Sequence, residues 1–146
     1  MRHIDDLLDG VKNFRSQITN TVIRTLKDNE HIIVEFVTEE QLYEKGEDGD
    51  GEFLADSQPY RPMTISIKRI KGQPTNRVTL KDTGDFHESF YIEFQSEWFE
   101  IKAKDWKSDE LQDRYGDAIM ALNDENITDM VQNYIAPAIM EKFKQI

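Results

Sequence analysis

The sequence predicts an α+β fold in which long N- and C-terminal helices pack on a small antiparallel sheet. Two segments, from residue 3 to about 28 and from Ile127 onward, place apolar residues three and four positions apart, as amphipathic helices do. Between them, residues 89–103 alternate apolar and polar side chains, which is typical of a β-hairpin. A length of 146 residues suits one domain, so residues 1–146 are predicted to form a single domain.

The N-terminal segment predicts one helix of about seven turns. Its apolar stripe consists of Ile4, Leu7, Leu8, Val11, Phe14, Ile18, Val22 and Leu26. Gly10 lies inside this segment and weakens the helix by up to about 1 kcal/mol. A helix of this length predicts either packing along its own sheet or a far end that reaches a partner.

The segment from His31 to Val37 is rich in β-branched residues and predicts a buried strand. Thr38 and Gln41 then have the spacing of a capping box, in which Ser or Thr is followed three places on by Glu or Gln. The short helix that they would open is expected to end at Gly46, because glycine readily adopts the left-handed conformation of a helix cap.

Residues 46–60 are predicted to form an exposed acidic loop, because the run 47–52 (Glu-Asp-Gly-Asp-Gly-Glu) cannot build a regular element. The next segment, Met63–Ile70, fits both a strand and a helix. A helix is favoured, because Pro62 suits the first helical position and Gly72 begins a stop signal.

The hairpin is expected to turn near Ser96. The apolar face that its two strands share consists of Phe90, Ile92, Phe94, Phe99, Ile101 and Ala103. Beyond it, Ser108 is expected to cap a short helix that ends at Gly116. Pro137 is expected to kink the C-terminal helix. The apolar stripe of that helix consists of Met130, Val131, Tyr134, Ala138, Ile139 and Phe143.

The composition excludes several classes of protein. The chain has 29 acidic and 18 basic residues and a net charge of −11, which argues against general nucleic-acid binding and adsorption to anionic membranes. The absence of cysteine excludes disulfide scaffolds, thiolate metal sites and cysteine nucleophiles. The longest apolar run, residues 118–122, is far shorter than the roughly 20 residues that span a bilayer. We therefore expect a chain that is made and kept in a reducing cytosol.

The charge is arranged in blocks. Residues 39–56 contain eight acidic residues and one lysine, whereas residues 57–81 contain six basic residues and no acidic one. Such neighbouring blocks predict either charge pairing within the chain or a surface that meets a second copy, and a solvated loop beside a basic element is the simpler alternative. The candidate residues for an interface between copies are Glu44, Asp48, Asp50, Glu52, Arg61, Lys68, Arg69 and Lys71.

Asp82-Thr83-Gly84 has the form of an aspartic-protease motif, in which two such carboxylates share a proton. A chain of this length would have to dimerise to supply the second carboxylate. The flanking residues disagree with that family, because Lys81 and Asp85 stand where apolar and small residues are usual. An aspartic protease is therefore the least favoured of the three functions that the sequence suggests.

No other motif predicts a catalytic, cofactor or metal site. The alternating carboxylates from Asp48 to Glu52 suggest calcium, but Phe53 and Pro59 occupy positions where an EF-hand loop needs Gly and Glu. The histidines His3, His31 and His87 are too few and too scattered to indicate zinc or a general base.

The order of several short motifs resembles the virion morphogenesis, or tail-completion, proteins of tailed bacteriophages. The resemblance covers roughly residues 41–122, including the run Gln41–Gly46. The residues that carry most of it are Tyr60, Pro62, Thr64, Lys68, Gly72, Leu80, Asp82, Thr83, Gly84, Phe86, Ser89, Tyr115 and Gly116. Two features depart from the family pattern: Phe86 replaces the usual leucine, and the acidic insertion at 47–56 is not a family hallmark.

The resemblance implies a ring-forming structural protein of the virion, at the junction between the capsid portal and the tail, with no catalytic residue or cofactor. Its implied partners are other copies of itself, portal and tail proteins, and DNA that passes through the ring without sequence-specific binding. Thr83, Gly84, Phe86 and Ser89 then form a structural motif, in which Gly84 permits a tight turn, Thr83 caps the following turn and Ser89 returns a hydrogen bond to the backbone.

Two expectations about charge follow from the implied ring. The acidic block 39–56 of one copy would meet the basic block 57–81 of the next, because a head-to-tail interface joins two different patches. The surplus acid would face the channel and keep passing DNA from binding. The alternative function is an acidic cytosolic interaction module or an inhibitor that mimics DNA.

Overall fold

The computed structural model of the chain describes residues 4–144. Its elements, in chain order, are α1 (Ile4–Asp28), α2 (Glu30–Glu35), the π-helix π1 (Phe36–Lys45), α3 (Leu54–Ser57), α4 (Pro62–Ile70), α5 (Asp85–Glu88), β1 (Phe90–Phe94), β2 (Phe99–Ala103), α6 (Ser108–Tyr115), a 3₁₀ turn (Asp117–Met120), α7 (Asp124–Met130), the π-helix π2 (Val131–Ile135) and α8 (Ala136–Lys144). The predicted α+β class is confirmed. Within this part of the chain, no helix is both long and apolar enough to cross a membrane.

The first helix, α1, begins within one residue of the predicted start, and residue 3 lies outside the described range. Only its second half reaches the core, where Leu26 is buried. Its middle meets the last helix through the rings of Phe14 and Phe143, whose centroids are 5.0 Å apart. The two terminal helices therefore run in opposite directions along one side of the molecule.

The predicted strand at 31–37 is wrong, because this segment is helical and continues from α2 into π1. Ile33 and Val37 are four residues apart and both are fully buried, so the apolar run has helical spacing on the buried side. The predicted capping box is also wrong, because Thr38 lies inside the helix and donates to the carbonyl of Val34 at 2.8 Å. The helix does end at Gly46, whose φ of 66° is left-handed, as predicted.

The hairpin lies where the sequence predicts it, with Ile92 opposite Ile101 in an antiparallel pair. The inner face buries Phe90, Ile92 and Ile101 against α2 and the rest of the core. The carboxylate of Glu30 accepts a hydrogen bond from the backbone N–H of Ile92 at 2.8 Å. A helix thereby satisfies a donor on the open edge of a two-stranded sheet.

The C-terminal segment is one continuous helical run in which the π-helix π2 lies between α7 and α8. Its start is capped by Asn123, whose side chain accepts from the backbone N–H of Asn126 at 2.8 Å. The wider turns of π2 end just before Pro137. Proline removes one N–H and crowds the carbonyl four residues earlier, which accounts for a local change of helix type here.

The helix at 62–70 and the short helix that ends at Gly116 are confirmed, although α6 starts at Ser108 itself and not after it. The predicted exposed loop at 46–60 is only partly exposed. Gly49 donates to the carbonyl of Ala118 at 2.7 Å, and Asp48 and Leu54 are buried. The acidic loop is therefore packed onto the 3₁₀ turn at its base, while Asp50 to Phe53 face solvent.

A buried amide joins the two halves of the chain. Gln41 in π1 is fully buried and donates from Nε2 to the carbonyl of Ala121 at 2.8 Å. Its Oε1 accepts from the backbone N–H of Asn123 and from Nδ2 of Asn126, each at 2.9 Å. One side chain therefore fixes the position of π1 against the start of α7.

Replacing Gln41 by leucine is expected to lower the free energy of unfolding by about 3 kcal/mol, because buried donors and an acceptor lose their partner. Urea denaturation measures the change. Gln58→Leu is the matched control, since Gln58 is exposed. Equal stabilities for the two variants would contradict a central role of this amide.

Candidate functional site

The residues that carry the family resemblance converge on an irregular stretch of backbone at residues 79–84, which we call the 79–84 segment. The hydroxyl of Tyr60 accepts from the N–H of Thr79 at 3.0 Å. Lys68 donates from Nζ to the carbonyl of Lys81 at 3.1 Å. Gln73 follows the same pattern, donating from Nε2 to the next carbonyl along, that of residue 82, at 2.6 Å. Side chains thus supply the hydrogen bonds that a strand or helix would otherwise give this backbone.

Lys68 is a buried cation inside this cluster. Its Nζ lies 5.0 Å from the centre of the Tyr60 ring and 3.4 Å from Oε1 of Gln73. A buried ammonium group is stable only with such partners. Lys68 therefore stabilises the fold and is not available as a surface charge, which corrects its prediction as an interface residue.

The 79–84 segment holds an uncommon backbone conformation at Leu80, where φ is +57°. A leucine in the left-handed region is unfavourable and persists only where its surroundings impose it. The hydroxyl of Thr79 accepts from the N–H of Lys81 at 3.2 Å, which closes the turn around Leu80.

The following turn leads into the hairpin through short-range contacts. Thr83 accepts at Oγ1 from the N–H of Asp85 at 3.3 Å, and Gly84 has a φ of +95°. Ser89 donates to the carbonyl of Phe86 at 2.8 Å, and the buried Phe86 ring packs edge-on against Phe90 at 5.0 Å. These contacts are the conformational roles that the sequence assigned to Thr83, Gly84 and Ser89.

Asp82 is an exposed ion-pair partner of Lys71, whose Nζ lies 2.7 Å from its carboxylate. The hydrogen bond from Lys71 is the largest cause that lowers the pKa of Asp82 below its usual value. In a protease dyad, one carboxyl group keeps a proton because a second carboxylate lies beside it and raises its pKa. The environment of Asp82 has the opposite effect.

His87 is a buried titratable group that the sequence did not distinguish from the other histidines. Its Nε2 lies 2.9 Å from the carbonyl of Thr79, and its Nδ1 is buried with no hydrogen-bond partner in the described residues. Burial is the main cause that lowers the pKa of His87, and the charges of Lys81 and Glu39 act on it in opposite directions. The imidazole therefore ties α5 to the 79–84 segment in its neutral form.

The fold leaves only some of the charged interface candidates exposed and unpaired. Asp48 is buried and accepts at Oδ1 from the N–H groups of Asp50 and Glu52 at 2.9 and 3.1 Å, so it organises its own loop and is not a surface charge. Lys71 is occupied by Asp82. The candidates that remain exposed without an ion pair to another described residue are Glu44, Asp50, Glu52, Arg61 and Arg69.

Among residues 4–144, none of the ion pairs joins the acidic block 39–56 to the basic block 57–81. Lys45 pairs with Glu125, and Arg77 and Lys81 lie over the ring of Tyr43 at 5.5 and 4.7 Å. The predicted pairing of the two blocks within one chain is therefore not formed. The same described range places no three His, Asp or Glu side chains in position to hold a metal ion.

The structure also contains an apolar groove that the sequence did not predict. Its volume is about 680 Å³, and it opens between the second half of α1, β2, α7 and π2. Val131 was predicted to belong to the apolar stripe of the C-terminal helix, but it lies at the groove with Ile127, and the two side chains are 44% and 45% exposed. Only the assembled packing of distant elements defines such a surface, so periodicity could not reveal it.

Gly84→Ala is expected to destabilise the protein by roughly 1–2 kcal/mol, because φ of +95° is unfavourable for any residue with a Cβ. The nearest atoms to an added Cβ are 3.7 Å away, so backbone strain alone is tested. Gly10→Ala is the control: its Cβ meets nothing within 4 Å, and we expect a gain of up to about 1 kcal/mol. Thermal or urea unfolding measures both, and a loss at Gly10 would contradict this account.

Unfolding is expected to become easier as pH falls below about 6.5, the ordinary pKa of histidine. Because burial keeps the folded-state pKa of His87 below that value, the unfolded chain binds the proton first, and stability present above this pH is lost on acidification. His87→Gln should reduce the difference in urea midpoint between about pH 7.5 and 5.5. Identical pH profiles for the two proteins would contradict the assignment.

Comparisons of the chain with protein-family models, with curated proteins and with solved structures found no match.

Proposed function

We propose that this chain is a non-catalytic structural protein of a tailed-phage virion, a ring-forming head–tail connector or tail-completion component at the junction of portal and tail. The observation that carries the proposal is the convergence of the motif residues. Tyr60 and Lys68 hold the 79–84 segment, and Thr83 and Ser89 form the turn that follows it. Several residues of the separate short motifs thus lie around one segment of the backbone.

The chemistry of this cluster favours a structural role over catalysis. Its polar side chains bind backbone groups and each other, and Lys68 is buried among them. Asp82 is ion-paired to Lys71 and its pKa is lowered, which disfavours the protease alternative. A rigid, irregular segment of this kind suits a protein whose task is to present a fixed surface to neighbouring subunits.

The distribution of charge supports assembly from identical copies. The acidic block 39–56 and the basic block 57–81 are not ion-paired with each other within the described chain, and Arg61 and Arg69 remain exposed. Two unlike patches on one molecule can join copies head to tail, and such contacts close into a ring when the rotation permits. The remaining acidic surface would then face passing DNA and repel it.

The decisive experiment is the mass of the purified protein in solution, combined with negative-stain imaging. We expect particles of several copies with a central opening. A monomer or small dimer at all concentrations would contradict the ring and would favour the acidic interaction module or DNA mimic. Binding to purified portal or tail proteins tests the location in the virion.

The double variant Arg61→Glu/Arg69→Glu is expected to shift the assembly toward smaller species at low salt, because it reverses the exposed part of the basic block. Both residues are exposed, so folding should be unaffected. Light scattering measures the mass, and Lys142→Glu, an exposed base outside the block, serves as control. An unchanged mass distribution for the double variant would exclude this patch from the interface.

A further inference from the structure

The first half of α1 presents apolar side chains that remain open to solvent. Phe14 contacts Phe143 near the end of α8, and the helix continues beyond this contact by about 15 Å toward Ile4. The side chains on this part of the stripe are Ile4, Leu7, Leu8 and Val11, with exposed fractions of 74%, 65%, 51% and 64%. We call these four residues the α1 stripe. A contiguous patch of this kind marks an interaction surface.

The apolar groove is a second open surface, and most of the side chains that line it are apolar. Leu26, Met120 and Met130 line its inner part, and Ile127 and Val131 lie at its exposed edge. Residues of α1, β2, α7 and π2 line it, and an amphipathic helix can bury its apolar face in a groove with such a lining.

The α1 stripe cannot fill the groove of its own chain. Val22 and Leu26, which line the groove, belong to the same uninterrupted helix as Leu8. Leu8 and Val22 are 14 residues apart, or about 21 Å along a helix axis. The helix would have to fold back on itself to bring them together, so a stripe that docks in this groove has to come from another molecule.

The charges of the two surfaces are complementary. The titratable residues that line the groove are Glu100 and Asp117, both acidic. Arg15 follows Val11 by four positions and is exposed on the same face of α1, whereas the three aspartates of this part of the helix lie beside that face or opposite it. Docking the stripe would therefore bring a guanidinium group to the acidic residues of the groove.

We infer that the α1 stripe of one copy docks in the apolar groove of a second copy. Stripe and groove are different surfaces on each chain, so each copy can give its stripe to one neighbour and receive the stripe of another. This inference rests on the proposed ring function, because a head-to-tail ring is what gives each copy two different neighbours. The docking adds an apolar contact to the charged contact through Arg61 and Arg69, and α1 is then the element that links neighbouring subunits.

Cysteine cross-linking tests the contact directly, because the chain contains no cysteine of its own. Leu8→Cys and Val131→Cys are made as separate proteins, mixed in equal amounts and oxidised. We expect a disulfide-linked pair that contains one of each variant and that neither variant forms alone. Ile70→Cys, an apolar position on α4 that is 86% exposed, replaces Val131→Cys in the control mixture and should remain unlinked.

The outcomes separate this inference from the proposed function. Ring-sized wild-type particles without the mixed cross-link would overturn the stripe-and-groove contact and leave the ring proposal intact. A mixed cross-link in a particle that stops at two copies would support the contact and contradict the ring. Links of Leu8→Cys to itself would show stripes packed on each other and would overturn the inference.

Salt distinguishes the apolar contact from the charged one. Val11→Glu places a charge in the α1 stripe and should reduce assembly at all salt concentrations, because burying an unpaired carboxylate is unfavourable. Added salt should weaken the contact through Arg61 and Arg69 by screening, but it should leave the apolar part of the docking contact in place. Trp106→Glu is the control, because Trp106 is an 80% exposed apolar side chain outside the basic block, the α1 stripe and the groove. Normal assembly of Val11→Glu would contradict docking.

Discussion

The architecture depends on one buried amide. Gln41 belongs to the first third of the chain, and every partner of its side chain lies 80 or more residues later. A buried amide is stable only when its donor and acceptor are both satisfied, so π1 and the start of α7 must take one relative position. Ile33 and Ile119, one from each half of the chain, belong to the same buried core. The exposed surfaces of the molecule are arranged around it.

Local patterns predicted the elements whose contacts are local. The hairpin at 89–103 and the helix after Pro62 are determined by alternation and by a terminal proline, both of which act within a few residues. The segment 31–37 could not be assigned correctly in the same way. A short β-branched run fits a buried helix as well as a strand, and here the burial of Ile33 and Val37 against distant elements decides for the helix.

In the candidate site, too, the features with local partners were predictable and those with distant partners were not. The hydroxyl and glycine roles at Thr83, Gly84 and Ser89 were predictable, because their partners lie two or three residues away. The burial of Lys68 was not, because lysine is rarely buried and its acceptor, the carbonyl of Lys81, is 13 residues away. A count of charges along the sequence treats every ionisable residue as exposed, whereas folding buries some of them.

The contact between Phe14 and Phe143 has a consequence for how the chain matures on the ribosome. The two rings are 129 residues apart in sequence, and synthesis at roughly 5–20 residues per second separates their emergence by about 6–26 s. During that interval α1 has no C-terminal helix to pack against, and the walls that α7 and π2 give the groove have yet to be made. For the proposed contact between the α1 stripe and the groove, this order means that a nascent copy exposes its stripe before its own groove is complete.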